Sequence, residues 1–194
     1  MNRKIYVIPA LILATMLSSF AQESGNQLFN VGDKDLNFTV GLGSPWVFYH
    51  DYRTGLPPVV VSLDKGFRDD LGPGVLSIGV MAAATTYRED YYIATWLYDY
   101  GQKSTTLIGA LRGTYHYQFI DKLDTYGGVH AGLRLESWKT FGTAPSDVVD
   151  VGLKVRPVFN LFAGAKYFIS DNLFILGELG LEIAFINFGI GLKL

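Results

Sequence analysis

The sequence of 194 residues contains no cysteine, so no disulfide bond can brace the fold and no cysteine can carry a lipid. Backbone hydrogen bonds and side-chain packing must therefore hold the chain together. Charged residues are also scarce, at 18% of the sequence, against roughly 25% in ordinary soluble domains. The net charge of −2 provides no basic field, and we expect no nucleic-acid partner.

Targeting character is confined to the N-terminus. A positively charged start precedes an apolar run over residues 5–17, and Ser19 and Ala21 place small residues before the expected cleavage point. The run is shorter than the ~20 apolar residues that a membrane-spanning helix needs. We therefore predict a secretory signal peptide over residues 1–21, followed by a periplasmic N-terminal segment over residues 22–35.

Beyond the signal peptide, no stretch has the character of a membrane-spanning helix. The most apolar candidate, residues 173–194, holds glycines at interior positions, and each would cost ~1 kcal/mol in a helix. As two strands around a tight reversal, the stretch separates into an apolar face and a face that carries Glu178, Glu182 and Lys193. With a two-residue loop, the register places Glu178 opposite Lys193.

The same alternation of apolar and polar residues continues upstream. In the segment DTYGGVHAGLRLESW, one face is small and apolar, and the other carries His130, Arg134 and Glu136. Because successive side chains point to opposite sides of a strand, each such segment is a strand with two different faces. The predicted strands cover residues 36–43, 58–65, 74–83, 106–119, 124–138, 158–168, 173–183 and 187–194.

The links between these strands alternate in length. Short links are expected at residues 120–122 and 170–172, with a somewhat longer one at 66–73. Long links are expected at residues 44–57, 87–103 and 139–154, while the last link, near 184–187, is short. Short turns on one side and long loops on the other are typical of barrels in the outer membrane. The sequence thus predicts an all-β fold: an eight-stranded antiparallel up-and-down transmembrane β-barrel over residues 36–194.

A secreted soluble barrel, such as a lipocalin-like carrier, would also show alternating strands, with the apolar face turned inward. The membrane barrel is favoured because charges of both signs on several strands suit a narrow lumen. Tyr115, Tyr117 and Tyr167 also suit an aromatic girdle at the strand ends. The predicted lumen charge network comprises Arg112, His130, Arg134, Glu136, Lys166, Glu178, Glu182 and Lys193.

The signal peptide, the glycine-rich alternating strands and the ending GELGLEIAFINFGIGLKL resemble the small outer-membrane β-barrel proteins of Gram-negative bacteria. That group includes the OmpA, OmpX and OmpW types and the porin-like outer membrane protein β-barrel family. The resemblance implies residence in the bacterial outer membrane, contact with its lipid, and handling by periplasmic chaperones and the barrel-assembly machinery. The family usually ends in an aromatic residue, whereas this chain ends in Leu194, with Phe188 further back.

Candidate catalytic and metal-binding residues are few. His50 has Asp51 beside it and Ser44 nearby, which permits a Ser–His–Asp arrangement at the outer rim. His116 and His130 fall on the inner faces of neighbouring strands, where polar residues lining the lumen are the simpler interpretation. Because no His, Asp or Glu cluster has ligand spacing, we expect no metal, no cofactor and no enzymatic activity.

The second long link is rich in aromatic residues, which often mark a recognition surface because rigid rings give contact area at low entropic cost. Packing of the rings on one another and on lipid headgroups is the alternative. The candidate recognition residues are Tyr91, Tyr92, Trp96, Tyr98 and Tyr100.

Three functions remain open on the sequence. One is a structural or surface-recognition barrel with a plugged polar lumen and an unknown extracellular partner. The second is a narrow porin-like channel for small solutes, and the third is an outer-membrane lipid-modifying enzyme at His50.

Overall fold

The computed structural model describes residues 27–43, 53–92, 99–143, 150–181 and 183–194. Each strand pairs antiparallel with the next, and the first also pairs with the last, so the sheet closes on itself. The predicted eight-stranded up-and-down barrel is thereby confirmed. The strands are β1 Lys34–Leu42, β2 Arg53–Arg68, β3 Val75–Tyr92, β4 Asp99–Ile120, β5 Leu123–Thr143, β6 Val151–Phe168, β7 Leu173–Leu179 and β8 Ile186–Lys193.

The outer surface of the barrel is apolar over the middle of its strands. Leu111 on β4 is 69% exposed and Phe159 on β6 is 68% exposed. An exposed apolar surface of this extent needs lipid as its solvent, so the barrel is a transmembrane one and the soluble alternative is rejected. The exposed positions include Leu36, Phe38, Val61, Leu63, Ile78, Val80, Leu107, Val129, Leu133, Leu161, Ile175, Ile190 and Leu192. No helix within the described residues is long and apolar enough to cross a membrane.

At the end of the barrel opposite the described chain ends, which we call the outer end, the strands run much further than the sequence predicted. β3 and β4 stay in register up to the pair Tyr92 and Asp99, and β4 and β5 up to Asp99 and Thr143. The long links predicted at residues 87–103 and 139–154 are therefore largely strand, and that prediction of their extent was wrong. The reason is that alternation of apolar residues appears only where a strand contacts lipid. The backbone hydrogen bonds between the strands continue beyond the membrane, where the sequence no longer alternates in this way.

The last hairpin also departs from the prediction. Glu178 faces Asn187, not Lys193, and in the loop between β7 and β8 Gly180 N donates to Phe185 O at 3.1 Å. Ile183 and Ala184 in this loop are 6% and 1% exposed. Their burial draws the loop into the barrel, so the predicted two-residue reversal was wrong. The loop packs in an apolar cluster with inward residues of β2, β3 and β4: Val60, Met81, Ala83, Ile108 and Ala110.

Residues 27–33, within the predicted periplasmic segment, pack against the opposite end of the barrel, the periplasmic end. Gly32 N donates to Gly66 O at 2.9 Å, and Gly66 N donates to Asp33 O at 2.9 Å. Gly66 has to be glycine here, because a Cβ at this position would lie 2.1 Å from Asn30 O. The close passage brings Phe29 into the lumen, where it is only 3% exposed.

We expect charge on the outer wall to be tolerated only near its ends. Replacing Leu111 with Arg puts a cation near the bilayer midplane and should lower the free energy of unfolding by about 2–4 kcal/mol. Thr105→Arg, on the same strand and face but close to the outer interface, should cost only about 0–1 kcal/mol. The measurement is denaturant unfolding of protein refolded into lipid vesicles. Equal costs at the two positions would contradict a lipid-facing wall.

Candidate functional site

Arg112 on β4 lies in the middle of the lumen and holds two carboxylates at once. Its Nε donates to Asp64 Oδ1 at 3.2 Å and its Nη2 donates to Glu178 Oε1 at 2.6 Å. Its guanidinium carbon also lies 4.3 Å from the centre of the Phe162 ring. The side chains of Arg112 and Asp64 are each 2% exposed, and that of Glu178 is 9% exposed. Arg112 therefore joins β2, β4 and β7 through the interior, and each contact is shielded from water.

Tyr126 on β5 adds a further bond to this centre, because its hydroxyl donates to Glu178 Oε1 at 2.8 Å. The ring of Tyr126 fits because β6 carries Gly164 next to it. A Cβ on Gly164 would lie 2.6 Å from both Cζ and the hydroxyl oxygen of Tyr126, and 2.8 Å from Gly177 O. A small residue on one strand thus makes room for a large inward side chain on its neighbour.

Lys166 on β6 forms a second buried pair towards the periplasmic end. Its Nζ donates to Asp35 Oδ2 at 2.7 Å, and the side chains of Lys166 and Asp35 are 1% and 0% exposed. Three rings surround the ammonium group: Nζ lies 5.2 Å from the ring centre of Phe29, 4.9 Å from that of Tyr126 and 5.3 Å from that of Phe174. The charge is thus stabilised by one carboxylate and by the faces of aromatic rings.

His116 on β4 completes the periplasmic half of the lumen. Its Nδ1 lies 2.7 Å from Asp124 Oδ2, and its Nε2 lies 2.9 Å from Thr114 Oγ1. Ser77 Oγ is hydrogen-bonded to the same threonine hydroxyl. The imidazole is stacked 4.1 Å from the Phe29 ring.

The order of carboxylate, imidazole and hydroxyl matches that of a hydrolase triad, but the surroundings do not suit catalysis. Ser77, Thr114 and His116 are each at most 2% exposed, so a substrate cannot reach them. Their strands are paired on both sides, which engages the backbone N–H groups that would have to stabilise an oxyanion. The set is therefore a satisfied polar cluster of the lumen.

The predicted lumen residues separate into groups along the barrel. Arg112, Lys166 and Glu178 lie in the two buried centres described above. Nearer the outer end, Arg134 Nη1 donates to Glu136 Oε1 at 3.3 Å. Arg156 Nε lies 4.0 Å from Glu136 Oε2, with its own side chain 56% exposed, so this group opens towards water.

Two other predicted residues, His130 and Lys193, lie apart from these pairs. His130 is buried beside the Phe162 ring at 5.7 Å, and neither ring nitrogen has a hydrogen-bond partner among the described residues. Lys193 lies at the periplasmic end, where its Nζ donates to Asp33 Oδ2 at 2.6 Å and to Leu28 O at 2.9 Å. Glu182 lies outside the described residues.

Sequence reasoning missed three carboxylates of the lumen, the partners of Lys166, Arg112 and His116. Asp35 fell within the segment assigned to the periplasm, and Asp64 and Asp124 were on polar faces but were not included in the network. The available signal was position parity: each carboxylate shares the inner face of its strand with other buried polar residues, as the burial of Asn37, Ser62 and Tyr126 on alternate positions shows. Phe29 carried no periodic signal at all, because it precedes the first strand.

Among the described residues, little space remains beside Arg112. One cavity of about 20 Å³ lies beside Arg112, His130 and Glu178 and reaches the inserted Ile183 and Ala184. A volume of this size holds about one water molecule. Among the described residues, no group of three His, Asp or Glu side chains could hold a metal ion.

Some of the predicted residues cannot be placed. Ser44, His50 and Asp51 lie outside the described residues, as do Trp96 and Tyr98. Of the other candidate recognition residues, Tyr91 and Tyr92 form the upper end of β3, and Tyr100 belongs to β4 and pairs with Tyr91 across the hairpin.

The observed pairing predicts that Glu178 is coupled to Arg112 and is independent of Lys193. Glu178→Gln should lower the free energy of unfolding by about 1.5–3 kcal/mol, the range for a hydrogen bond to a charged group. Lys193→Ala should cost less than about 1 kcal/mol, since that pair is partly exposed. In double-mutant cycles measured by urea unfolding, Glu178→Gln should be non-additive with Arg112→Met and additive within about 0.5 kcal/mol with Lys193→Ala. Non-additivity between Glu178→Gln and Lys193→Ala would instead support the register that sets Glu178 opposite Lys193.

No protein-family model matches the sequence, and no curated protein matches it. The solved structures that align over most of the chain include three β-barrels. The N-terminal β-barrel domain of Pseudomonas aeruginosa OprF aligns with a TM-score of 0.46 at 16% identity, covering 85% of this chain and 98% of that domain. Ail, the attachment invasion locus protein of Yersinia pestis, in complex with the heparin analogue sucrose octasulfate, gives 0.42 at 9% identity, covering 84% and 95%. A second structure of Ail gives 0.39 at 11% identity, with the same coverage.

The strand pairing of the chain itself defines the fold. β1 and β8 close the ring, the wall is apolar over the middle of the strands, and the interior is charged and hydrogen-bonded. Closed barrels of antiparallel strands with an apolar outer band and a polar interior are the form of bacterial outer-membrane barrels. The chain is therefore a small eight-stranded β-barrel protein of the outer-membrane type.

Proposed function

We propose that this barrel is a plugged scaffold, which anchors the chain in the outer membrane and presents its long outer hairpins for surface recognition. The observation that carries the proposal is the sharing of Arg112 between Asp64 and Glu178 in the middle of the lumen. A water-filled pathway would have to pass this centre. Opening one would break two charge-assisted hydrogen bonds between buried groups.

The two ends of the lumen support the same proposal. On the periplasmic side, Phe29 stacks on His116 and lies beside Lys166, so an aromatic side chain covers the second ion pair. On the outer side, Ile183 and Ala184 are buried in an apolar cluster inside the barrel. Three successive layers thus fill a ring of eight strands, which is in any case only wide enough for side chains.

A narrow porin-like channel is the alternative that this packing disfavours. General porins use 16–18 strands to enclose an aqueous channel, whereas the cavity beside Arg112 measures about 20 Å³. For the lipid-modifying enzyme, the described part of the chain offers one imidazole with a carboxylate and a hydroxyl, at His116, and that group is inaccessible. The candidate at His50 lies outside the described residues, so the absence of enzymatic activity and of a cofactor stays a prediction.

The recognition part of the proposal rests on the height of the hairpins. β3 and β4 remain paired for several residues beyond the last outward apolar position of β4, Leu107, and their upper ends carry Tyr91, Tyr92 and Tyr100. These paired strand ends, which we call the tip, have a more constrained backbone than a free loop, and aromatic residues lose little entropy on binding. We propose an extracellular partner for this tip. Outer-membrane lipid, periplasmic chaperones and the barrel-assembly machinery are the partners proposed for the wall and for biogenesis.

The plugged lumen predicts that refolded protein conducts no steady current in planar bilayers, with a general porin recorded in the same bilayers as the positive control. Phe29→Ala should stay closed as well, because it removes one layer and leaves the Arg112 centre and the inserted loop in place. Steady wild-type conductance that Gly180→Val reduces would overturn the proposal. Gly180 suits this test because its nearest neighbours are side-chain atoms, Asn160 Nδ2 at 3.1 Å and Phe162 Cβ at 3.6 Å.

A further inference from the structure

A row of four cations crosses the outside of the barrel at the outer end. Arg53 on β2 faces Arg88 on β3, Arg88 faces Lys103 on β4, and Lys103 faces Lys139 on β5. All four side chains are exposed. We call these four residues the basic row. Their alignment follows from the register, because directly opposed residues of antiparallel strands point to the same side of the sheet.

The rows below the basic row change from apolar to polar in regular steps. One outward position closer to the membrane middle, Thr86, Thr105 and Ser137 face one another across β3, β4 and β5. One further step down, the outward residues of the same three strands are Ala84, Leu107 and Leu135. Two residues of strand span about 7 Å. Each row therefore lies about 7 Å from the next. From the membrane middle outward, the rows are aliphatic, then hydroxyl-bearing, then cationic. A lipid has its acyl chain, polar linkage and charged headgroup in the same order.

The basic row has fewer acidic partners than it has cations. Asp90 binds the arginine end of the row, with its Oδ1 2.8 Å from Arg88 Nε and its Oδ2 3.8 Å from Arg53 Nη1. Lys103 and Lys139 face each other directly, and within the described ranges no carboxylate pairs with either. Like charges directly opposed across a sheet are destabilising, so an anion between the strands would relieve this repulsion.

The row also has one member that is held in place. The Arg88 guanidinium carbon lies 3.9 Å from the centre of the Phe141 ring on β5. The contact reaches across β4, the strand that carries Lys103. A planar guanidinium and two ammonium groups on one face suit phosphate oxygens, since arginine binds them in a bidentate manner and lysine binds them as a point charge.

We propose that the basic row binds the phosphate of a phosphorylated glycolipid in the outer leaflet, with Thr86, Thr105 and Ser137 facing its polar linkage region. The location on the outside wall, directly above apolar rows, selects an anion that is carried by a lipid. A free anion would make no contact with the aliphatic and hydroxyl rows below the basic row. The binding surface lies outside the lumen, so it is independent of whether the barrel conducts.

The opposite end of the barrel provides a matched control. Lys34 and Lys65 also face each other on the outside of neighbouring strands. Directly beside them lies an apolar pair, Leu36 and Leu63, with no row of hydroxyls between. Two lysines above an aliphatic surface can extend their ammonium groups into water, and they lack an arginine partner that could bind phosphate in a bidentate manner.

Native mass spectrometry of the refolded full chain in detergent micelles tests the proposal, with purified lipid A and its dephosphorylated form as probes. Wild-type protein should retain phosphorylated lipid A and not the dephosphorylated form. The double variant Lys103→Gln/Lys139→Gln should bind it at least tenfold more weakly, since charge-assisted hydrogen bonds are removed. Lys34→Gln/Lys65→Gln should bind it like the wild type. Heat-modifiable migration on gels shows that each variant is folded.

Three outcomes would overturn the proposal. The first is equal retention of the phosphorylated and dephosphorylated lipids, which would indicate recognition of the acyl chains alone. The second is an equal loss of binding in the two lysine double variants, which would indicate a general effect of net charge. The third is complete displacement of lipid A by millimolar inorganic phosphate, which would indicate a site for a free anion. None of these outcomes bears on the closed lumen, which the channel recordings test separately.

Discussion

Closure of the hydrogen-bonded ring between β1 and β8 is the constraint on which the rest of the structure depends. In lipid, a strand edge would expose backbone N–H and C=O groups that no solvent could satisfy. The register from Asp35 with Lys193 to Leu42 with Ile186 removes that edge. Once the ring closes with eight strands, its radius is set, and the interior is only wide enough for side chains. Inward residues from different strands must therefore meet one another.

That narrow interior explains why the buried charges occur in pairs. An isolated cation such as Lys166, with its side chain 1% exposed, would be costly without a partner, and Asp35 supplies one across the lumen. The same logic holds for Arg112 with its two carboxylates. Removing one member would leave the other desolvated, so each pair specifies which residues of the ring must be adjacent inside. The pairs thereby contribute to the uniqueness of the fold as well as to filling it.

Much of the fold could be predicted because lipid acts on every second residue of a strand. The alternation that placed Arg112, His130 and Glu178 inside is a direct consequence of an apolar solvent outside. The partners of those residues could not be predicted, because pairing across a lumen depends on register and strand tilt, which periodicity does not contain. Glu178 shows the difference: its face was predicted and its partner was not, since Ile183 and Ala184 lengthen the turn by folding inward. Phe29 was missed for a related reason, because a single aromatic residue before the first strand has no period.

The strands differ in length around the ring, and this difference explains both the buried loop after β7 and the exposed cations on β2 to β5. β7 and β8 have only 7 and 8 residues, whereas β4 and β5 have 22 and 21. The outer rim is therefore low on one side and high on the other. On the low side, the loop between β7 and β8 lies close to the lumen and buries Ile183 and Ala184 there. This loop is short because it folds inward and does not extend into the solvent. On the high side, β2 to β5 continue past the apolar rows, and their outward positions have to match headgroups and then water. The low side of the rim therefore ends in short strands, and the high side ends in long paired strands. One closed ring in this way buries Ile183 and Ala184 at the low part of its rim and exposes four cations at the high part.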